Sequence, residues 1–219
     1  MTRLLIDEEV RERFPDLTAL LTELSGLKVQ KSSPELEEFK KTVYERIRSR
    51  YRVEELKNES IIRLYRDFFW RIGVDPTKTR PAAEALIRRI LRTGSLPTIN
   101  TLVDSYNLAS AESRIALAAF DAEEIEGDLV MRFAEPGERF LGIGMEKPRI
   151  LKGGEIVVSD SRGLVAIYPY RDADRSKVTL KTRRIYLMTC GVPGIPLETL
   201  RAAEALAAQY VEKFCSEEY

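Results

Sequence analysis

The spacing of apolar positions divides the chain into two halves with different periods. Between residues 34 and 109 they recur at helical intervals, whereas beyond residue 115 they alternate or form short runs broken by glycine. Ser33-Pro34-Glu35-Leu36 combines a capping serine with a proline at the first helical position, which predicts a charged helix to about residue 51. Ile61, Leu64, Tyr65, Phe68 and Ile72 share one stripe and predict a helix over 59–72, ended by Gly73 and Pro76. Ala83, Leu86, Ile87 and Ile90 do the same for 81–92, with Gly94 as the stop. Pro97 opens a fourth helix over 98–109, on which Ile99, Leu102, Val103 and Tyr106 follow the i, i+3, i+4, i+7 pattern of a packed face.

Short apolar or alternating runs at 115–121, 128–133, 140–143, 155–159, 164–168 and 184–190 read as strands joined by turns. A closing helix over 196–214 carries Leu200, Ala203, Ala207, Tyr210 and Phe214 on one side. The first thirty residues are ambiguous, because DLTALLTEL satisfies both helical spacing and the alternation of Thr18, Leu20, Thr22 and Leu24. Together these elements predict an α+β fold, a helical N-terminal half against a mainly antiparallel sheet. No repeat or Gly/Ser linker interrupts it. The simplest organisation is one compact unit, with residues 1–95 as a helical subdomain and 96–219 as the α+β core.

Composition narrows the chemistry. No apolar run approaches the roughly 18 residues needed to span a bilayer, and MTRLLIDEEV places acidic residues where a signal peptide needs apolar ones, so a cytoplasmic protein without a membrane partner is expected. Cys190 and Cys215 differ too much in context to form a disulfide framework or a metal site. The chain contains no histidine, which removes Ser-His-Asp triads, HExxH zinc sites and histidine-ligated deaminase centres. Chemistry is left to carboxylates, hydroxyls, backbone groups or the substrate, with neither metal nor cofactor expected. Gly142-Ile143-Gly144 lacks the third glycine and following helix of a dinucleotide fingerprint and reads as a tight strand end; Gly153-Gly154 reads as a hairpin turn.

Net charge is zero, yet its distribution is uneven. Residues 40–95 hold fifteen basic and seven acidic residues, a local charge of +8 that the remainder of the chain balances at −8. Arg88, Arg89 and Arg92 gather on the outer face of one predicted helix. Arg171, Arg175, Lys177, Lys181, Arg183 and Arg184 form a second basic cluster, against Asp172 and Asp174. Either these are solvated faces or they meet phosphates. Asn100, Asp104 and Asn107 pose a similar choice. Short polar side chains disfavour helix interiors, so they either hold neighbouring loops or point into a pocket, where they can fix an ammonium group or a ribose hydroxyl.

The segments TRPAAEALIRRILRTGSLPTINTLVDSYNLAS and GERFLGIGMEKPRILKGGEIVVSDSRGLVAIYPYRDADRSKVTLKT, with the closing helix, resemble the free-standing B-three/B-four domain proteins. That family is similar to the editing module of the phenylalanyl-tRNA synthetase beta subunit and to an accessory region of tRNA lysidine synthetase. The resemblance implies a strand near residues 16–27 and a three-layer arrangement around a β-sandwich-like core. It also implies a tRNA or aminoacyl-tRNA partner and, in a trans-editing protein, hydrolysis of a mischarged amino acid ester, the second sieve of a discrimination that one pocket cannot supply. A non-catalytic module binding tRNA, an amino acid or a protein is the alternative.

Carried over residue by residue, Asn100 matches the asparagine of the family's opening motif, with Ile99 in place of threonine. Ala118-Ala119-Phe120-Asp121 matches a histidine-alanine-phenylalanine-aspartate element, with Ala118 where histidine stands. Met188 falls at a glutamate position associated with the tyrosine hydroxyl, which makes the wall apolar and adaptable and puts tyrosine specificity aside. The expected pocket comprises Asn100, Asp104, Asn107, Ala118, Thr182 and Met188, with Arg171 and Asp172 at its mouth. The expected RNA contacts are Arg88, Arg89, Arg92, Arg175, Lys177 and Arg183.

Overall fold

The computed structural model describes residues 2–216. A short strand β1 (Leu4–Ile6) and helix α1 (Glu8–Arg13) precede strand β2 (Ala19–Leu24). Four helices follow: α2 (Pro34–Arg50), α3 (Ser60–Arg71), α4 (Ala82–Thr93) and α5 (Thr101–Ser113). Then come β3 (Ala116–Asp121), β4 (Leu129–Phe133), β5 (Arg139–Phe140), β6 (Arg149–Ile150), β7 (Ile156–Asp160), β8 (Gly163–Ile167), β9 (Arg171–Asp172), β10 (Ile185–Cys190) and the closing helix α6 (Leu197–Cys215). This is the α+β class expected, and β2 resolves the ambiguous N-terminal run in favour of a strand.

The strands form two main sheets. One is ordered β1-β4-β7-β8-β9, antiparallel except for the β1–β4 pair; the other is ordered β2-β10-β3 and wholly antiparallel. β5 and β6 make a separate two-stranded ribbon. The middle strand of the small sheet, β10, is buried along its whole length, and so is β3. A strand covered on both faces needs an apolar run in place of alternation, which is what ALAAFD and IYLMTC supply. Alternate residues of these strands face opposite layers. Helices α5 and α6 pack along each other against the small sheet, α5 on β3 and α6 on β2 and β10.

Backbone polar groups at the end of the small sheet are tied down by two buried tyrosines. The Tyr65 hydroxyl donates to the Cys190 carbonyl and accepts from the Ala116 amide at 3.0 Å, and the Tyr168 hydroxyl donates to the Gly191 carbonyl. Gly191 must be glycine: a Cβ there would sit 2.2 Å from the Thr18 carbonyl oxygen and 2.6 Å from a Leu200 methyl. Two local expectations are corrected. Gly153 and Gly154 do not close a hairpin, since β6 pairs with β5 while β7 pairs with β4 and β8, so the glycines carry the chain from ribbon to sheet. Ile99 is not core: Asn100 caps α5, the helix starts one residue later, and Ile99 is left 45% exposed.

Candidate functional site

A cavity of about 80 Å³ lies between the two main sheets. Its floor comes from β3 and β10, where Ala118 and Met188 are directly paired, together with Phe120 and Cys190. Its opposite wall comes from β8 and the following turn, through Ala166, Tyr168 and Pro169, and its charged residues are Arg171 and Asp172 of β9. Four of the sequence-derived positions, Ala118, Met188, Arg171 and Asp172, are therefore brought together.

The electrostatics of this cavity centre on Asp172. Burial pushes its pKa up to about 7, and the adjacent Arg171 guanidinium opposes this only in part. Burial also raises the Tyr106 phenol, with the charges of Asp172 and Asp104 adding to it, and raises the Cys190 thiol, again with Asp172 contributing. Tyr106 of α5 therefore feels the charge of Asp172 from the helical layer while remaining packed against the core, as its place in the apolar stripe predicts. The Arg171 stem crosses Gly142 so closely that a Cβ there would lie 2.9 Å from its Cγ and Cδ, while its Nη1 donates to the Ile143 carbonyl at 3.4 Å. The Ile143 amide in turn donates to the Asp172 carbonyl at 3.0 Å, so the 142–145 turn is stitched to β9 beside the cavity.

The polar residues of α5 lie elsewhere. The Asn100 side chain accepts from the Val103 amide at 2.9 Å and caps the helix. Asp104 accepts from the Ile99 amide at 3.0 Å and from Lys40 at 2.7 Å, and both partners of this ion pair are almost wholly buried. Lys40 also donates to Glu37 at 2.7 Å and to Thr98 at 3.1 Å. Burial opposes its charge, but the hydrogen bonds to Asp104 and Glu37 outweigh that and leave its pKa raised. Lys40 was missed by sequence reasoning although a signal existed, since it occupies the buried stripe of α2 with Leu36, Val43, Tyr44 and Ile47. Asp104 and Asn107 line a second recess of about 110 Å³ between α2, α4 and α5. Thr182 lines neither recess: its hydroxyl donates to Asp121 at 2.5 Å and accepts from the Thr179 amide at 2.9 Å, bracing the end of β3.

The basic residues divide in the same way. Arg175 donates to Asp160 at 2.5 Å and to the carbonyls of Glu124, Gly163 and Leu164, which commits it to the β7–β8 turn. Lys177 pairs with Asp174 at 2.8 Å, and Arg183 donates to the carbonyls of Leu180 and Thr182. Arg88 is paired with the fully buried Glu84 at 2.7 Å, which also holds Arg66. Arg88 nonetheless borders an open groove with Arg89, Arg92, Lys78 and Arg80.

A model of the B3/4 domain matches residues 64–216. Among curated proteins, the phenylalanine–tRNA ligase beta subunit of Psychrobacter arcticus is 39% identical over 88 residues, covering 40% of this chain and 11% of that protein. The corresponding subunit of Cutibacterium acnes is 32% identical over 107 residues, covering 49% of this chain and 12% of that protein. The chain therefore spans only a small part of the length of these relatives. An N-terminal fragment of the phenylalanyl-tRNA synthetase beta subunit from Pyrococcus horikoshii shares the fold, with a TM-score of 0.52 at 13% identity over 97% of this chain and 49% of that one. Since the family model covers well over half of its residues, and every residue lining the cavity lies within the match, the chain belongs to the B3/4 domain family.

Proposed function

We propose that this protein binds tRNA and acts as a trans-editing deacylase, removing a mischarged amino acid from its ester with the tRNA. The observation that carries the reading is the cavity between the sheets, where an apolar wall of Ala118 and Met188 meets a half-buried carboxyl, Asp172, whose pKa is raised to about 7. Buried ionisable groups with displaced pKa values cluster at functional sites. The tRNA partner is supported by the ligase names of the relatives and by the resemblance of the 96–107 run.

In this reading the side chain of the amino acid enters between Ala118 and Met188, and Asp172 receives its α-ammonium group. A cavity of about 150 Å³ holds benzene, so one of about 80 Å³ suits small side chains and not an aromatic ring. Alanine, serine, threonine and valine fit; tyrosine and phenylalanine do not. Water attacks the ester carbonyl carbon, the bond to the ribose oxygen breaks, and that oxygen leaves with a proton, giving free amino acid and uncharged tRNA. With no histidine in the chain, the neighbouring ribose hydroxyl and backbone donors supply the remaining assistance.

Incubation with a panel of mischarged tRNAs tests the reading. Deacylation above buffer, confined to small side chains and raised in KM by Asp172→Asn, is expected. Failure to discharge any of the twenty amino acids sinks the deacylase and leaves the non-catalytic binding module, which the small volume of the cavity would then favour.

A further inference from the structure

The recess between α2, α4 and α5 is separate from the cavity between the sheets, and it opens beside the basic groove: Arg89 borders both. Among the described residues, Arg80, Arg89 and Arg92 have no carboxylate within ion-pairing distance, in contrast to Arg88 and Arg175. The groove is about 470 Å³ and lies along the exposed face of α4. The recess has a different character. Leu86, Leu96, Pro97 and Leu108 give it apolar walls, while the Asn107 carboxamide forms no hydrogen bond among the described residues. The Tyr44 hydroxyl accepts from the Leu96 amide at 3.1 Å and, among the described residues, has no acceptor for its own hydrogen.

From this juxtaposition we infer that the recess takes the base of one pyrimidine nucleotide of a single-stranded RNA whose flanking phosphates lie on Arg89 and Arg92. An unpaired carboxamide offers one donor and one acceptor side by side, which matches the edge of a base, and apolar walls suit its faces. Volume decides the ring. A cavity of about 150 Å³ holds benzene, so about 110 Å³ with an open mouth admits a single ring whose sugar-bearing side remains outside, and not a fused purine. Arginines free of internal carboxylates have their charge available for phosphates, and the phosphate term is independent of sequence. The two parts thus separate the work: the groove provides affinity and the recess provides preference. This inference deepens the tRNA reading above by naming a nucleotide contact that is distinct from the aminoacyl cavity.

The test is fluorescence anisotropy with labelled ten-nucleotide homopolymers of U, C, A and G, titrated over a series of salt concentrations, alongside the deacylation panel. Wild-type protein is expected to bind U or C about tenfold more tightly than A or G. Arg89→Gln with Arg92→Gln should weaken all four and reduce the log–log salt slope by about 1.4, at roughly 0.7 for each single-strand phosphate no longer neutralised. Asn107→Ala should erase the pyrimidine preference while leaving the salt slope unchanged. Because Asn107 has no hydrogen-bond partner among the described residues and neither arginine is buried, none of these variants disturbs a pairing that the fold needs. Equal binding of all four homopolymers, a preference retained in Asn107→Ala, or no RNA binding overturns the inference. Discharge of tRNA without pyrimidine preference would sink the recess and spare the deacylase; pyrimidine binding through Asn107 without discharge would do the reverse.

Discussion

Ala118 and Met188 are register partners across the β3–β10 ladder, and both line the cavity between the sheets. Two of the three positions at which the chain departs from the synthetase-like motif are therefore neighbours on one wall, and their changes act together to make it apolar. Met188→Leu is expected to cost less than about 1.5 kcal/mol, because volume is nearly conserved. Met188→Ala should cost about 2–5 kcal/mol and widen the range of side chains accepted towards larger ones. Urea unfolding and the deacylation panel read the two effects separately.

Asp172 sets a pH dependence with a definite sign. Its carboxyl has an ordinary value of 3.8 and is raised to about 7 in the folded state. Between those values the native protein holds a proton that the unfolded chain has released, so stability falls as pH rises from about 4 to about 7 and is flat above. Asp172→Asn should remove this slope and be more stable than the wild type at pH 8, with the advantage vanishing near pH 4. Equal slopes for the two proteins in urea titrations at several pH values would contradict the assignment.

Asp104→Ala is expected to be far more damaging than its short side chain suggests. It leaves Lys40, whose side chain is only 3% exposed, with the half-exposed Glu37 as its remaining carboxylate, next to an unpaired Ile99 amide. Removing one member of a buried pair costs about 3–5 kcal/mol, whereas replacing both with apolar residues is often neutral. Thermal unfolding of Asp104→Ala against the double change Lys40→Met with Asp104→Leu should show recovery in the double variant.

Gly191→Ala should destabilise the protein by about 1–3 kcal/mol or more, since the new methyl group meets a backbone carbonyl that cannot rotate aside. Gly127→Ala is the control: no atom lies within 4 Å of its added Cβ, so only the strain of its positive φ of 79° remains. Matched losses in chemical denaturation would refute the steric account.

Much of the fold is legible in the chain because period and punctuation are local properties. The helices at 34–50, 60–71 and 82–93 and the buried strands of the small sheet follow from stripes, caps and apolar runs. Three-residue β1 and two-residue β9 are too short to carry a period, and only pairing with β4 and β8 makes them strands. Charge proved harder to read. Arg175 and Arg184 look like free cations in a linear count, yet Asp160, Glu23 and Glu123 return to them from distant positions. The same holds for α5, where a polar face that reads as one site is divided among a cap at Asn100, an ion pair at Asp104 and a recess at Asn107.

The family match begins at residue 64, whereas β2, which ends at Leu24, supplies the outer partner of β10 over six consecutive residues. A fragment trimmed to the matched region would leave one whole flank of β10 with unsatisfied amides and carbonyls. Such a flank recruits other chains, so the stretch of sequence matched by the family model is smaller than the unit whose small sheet has β10 paired on both sides.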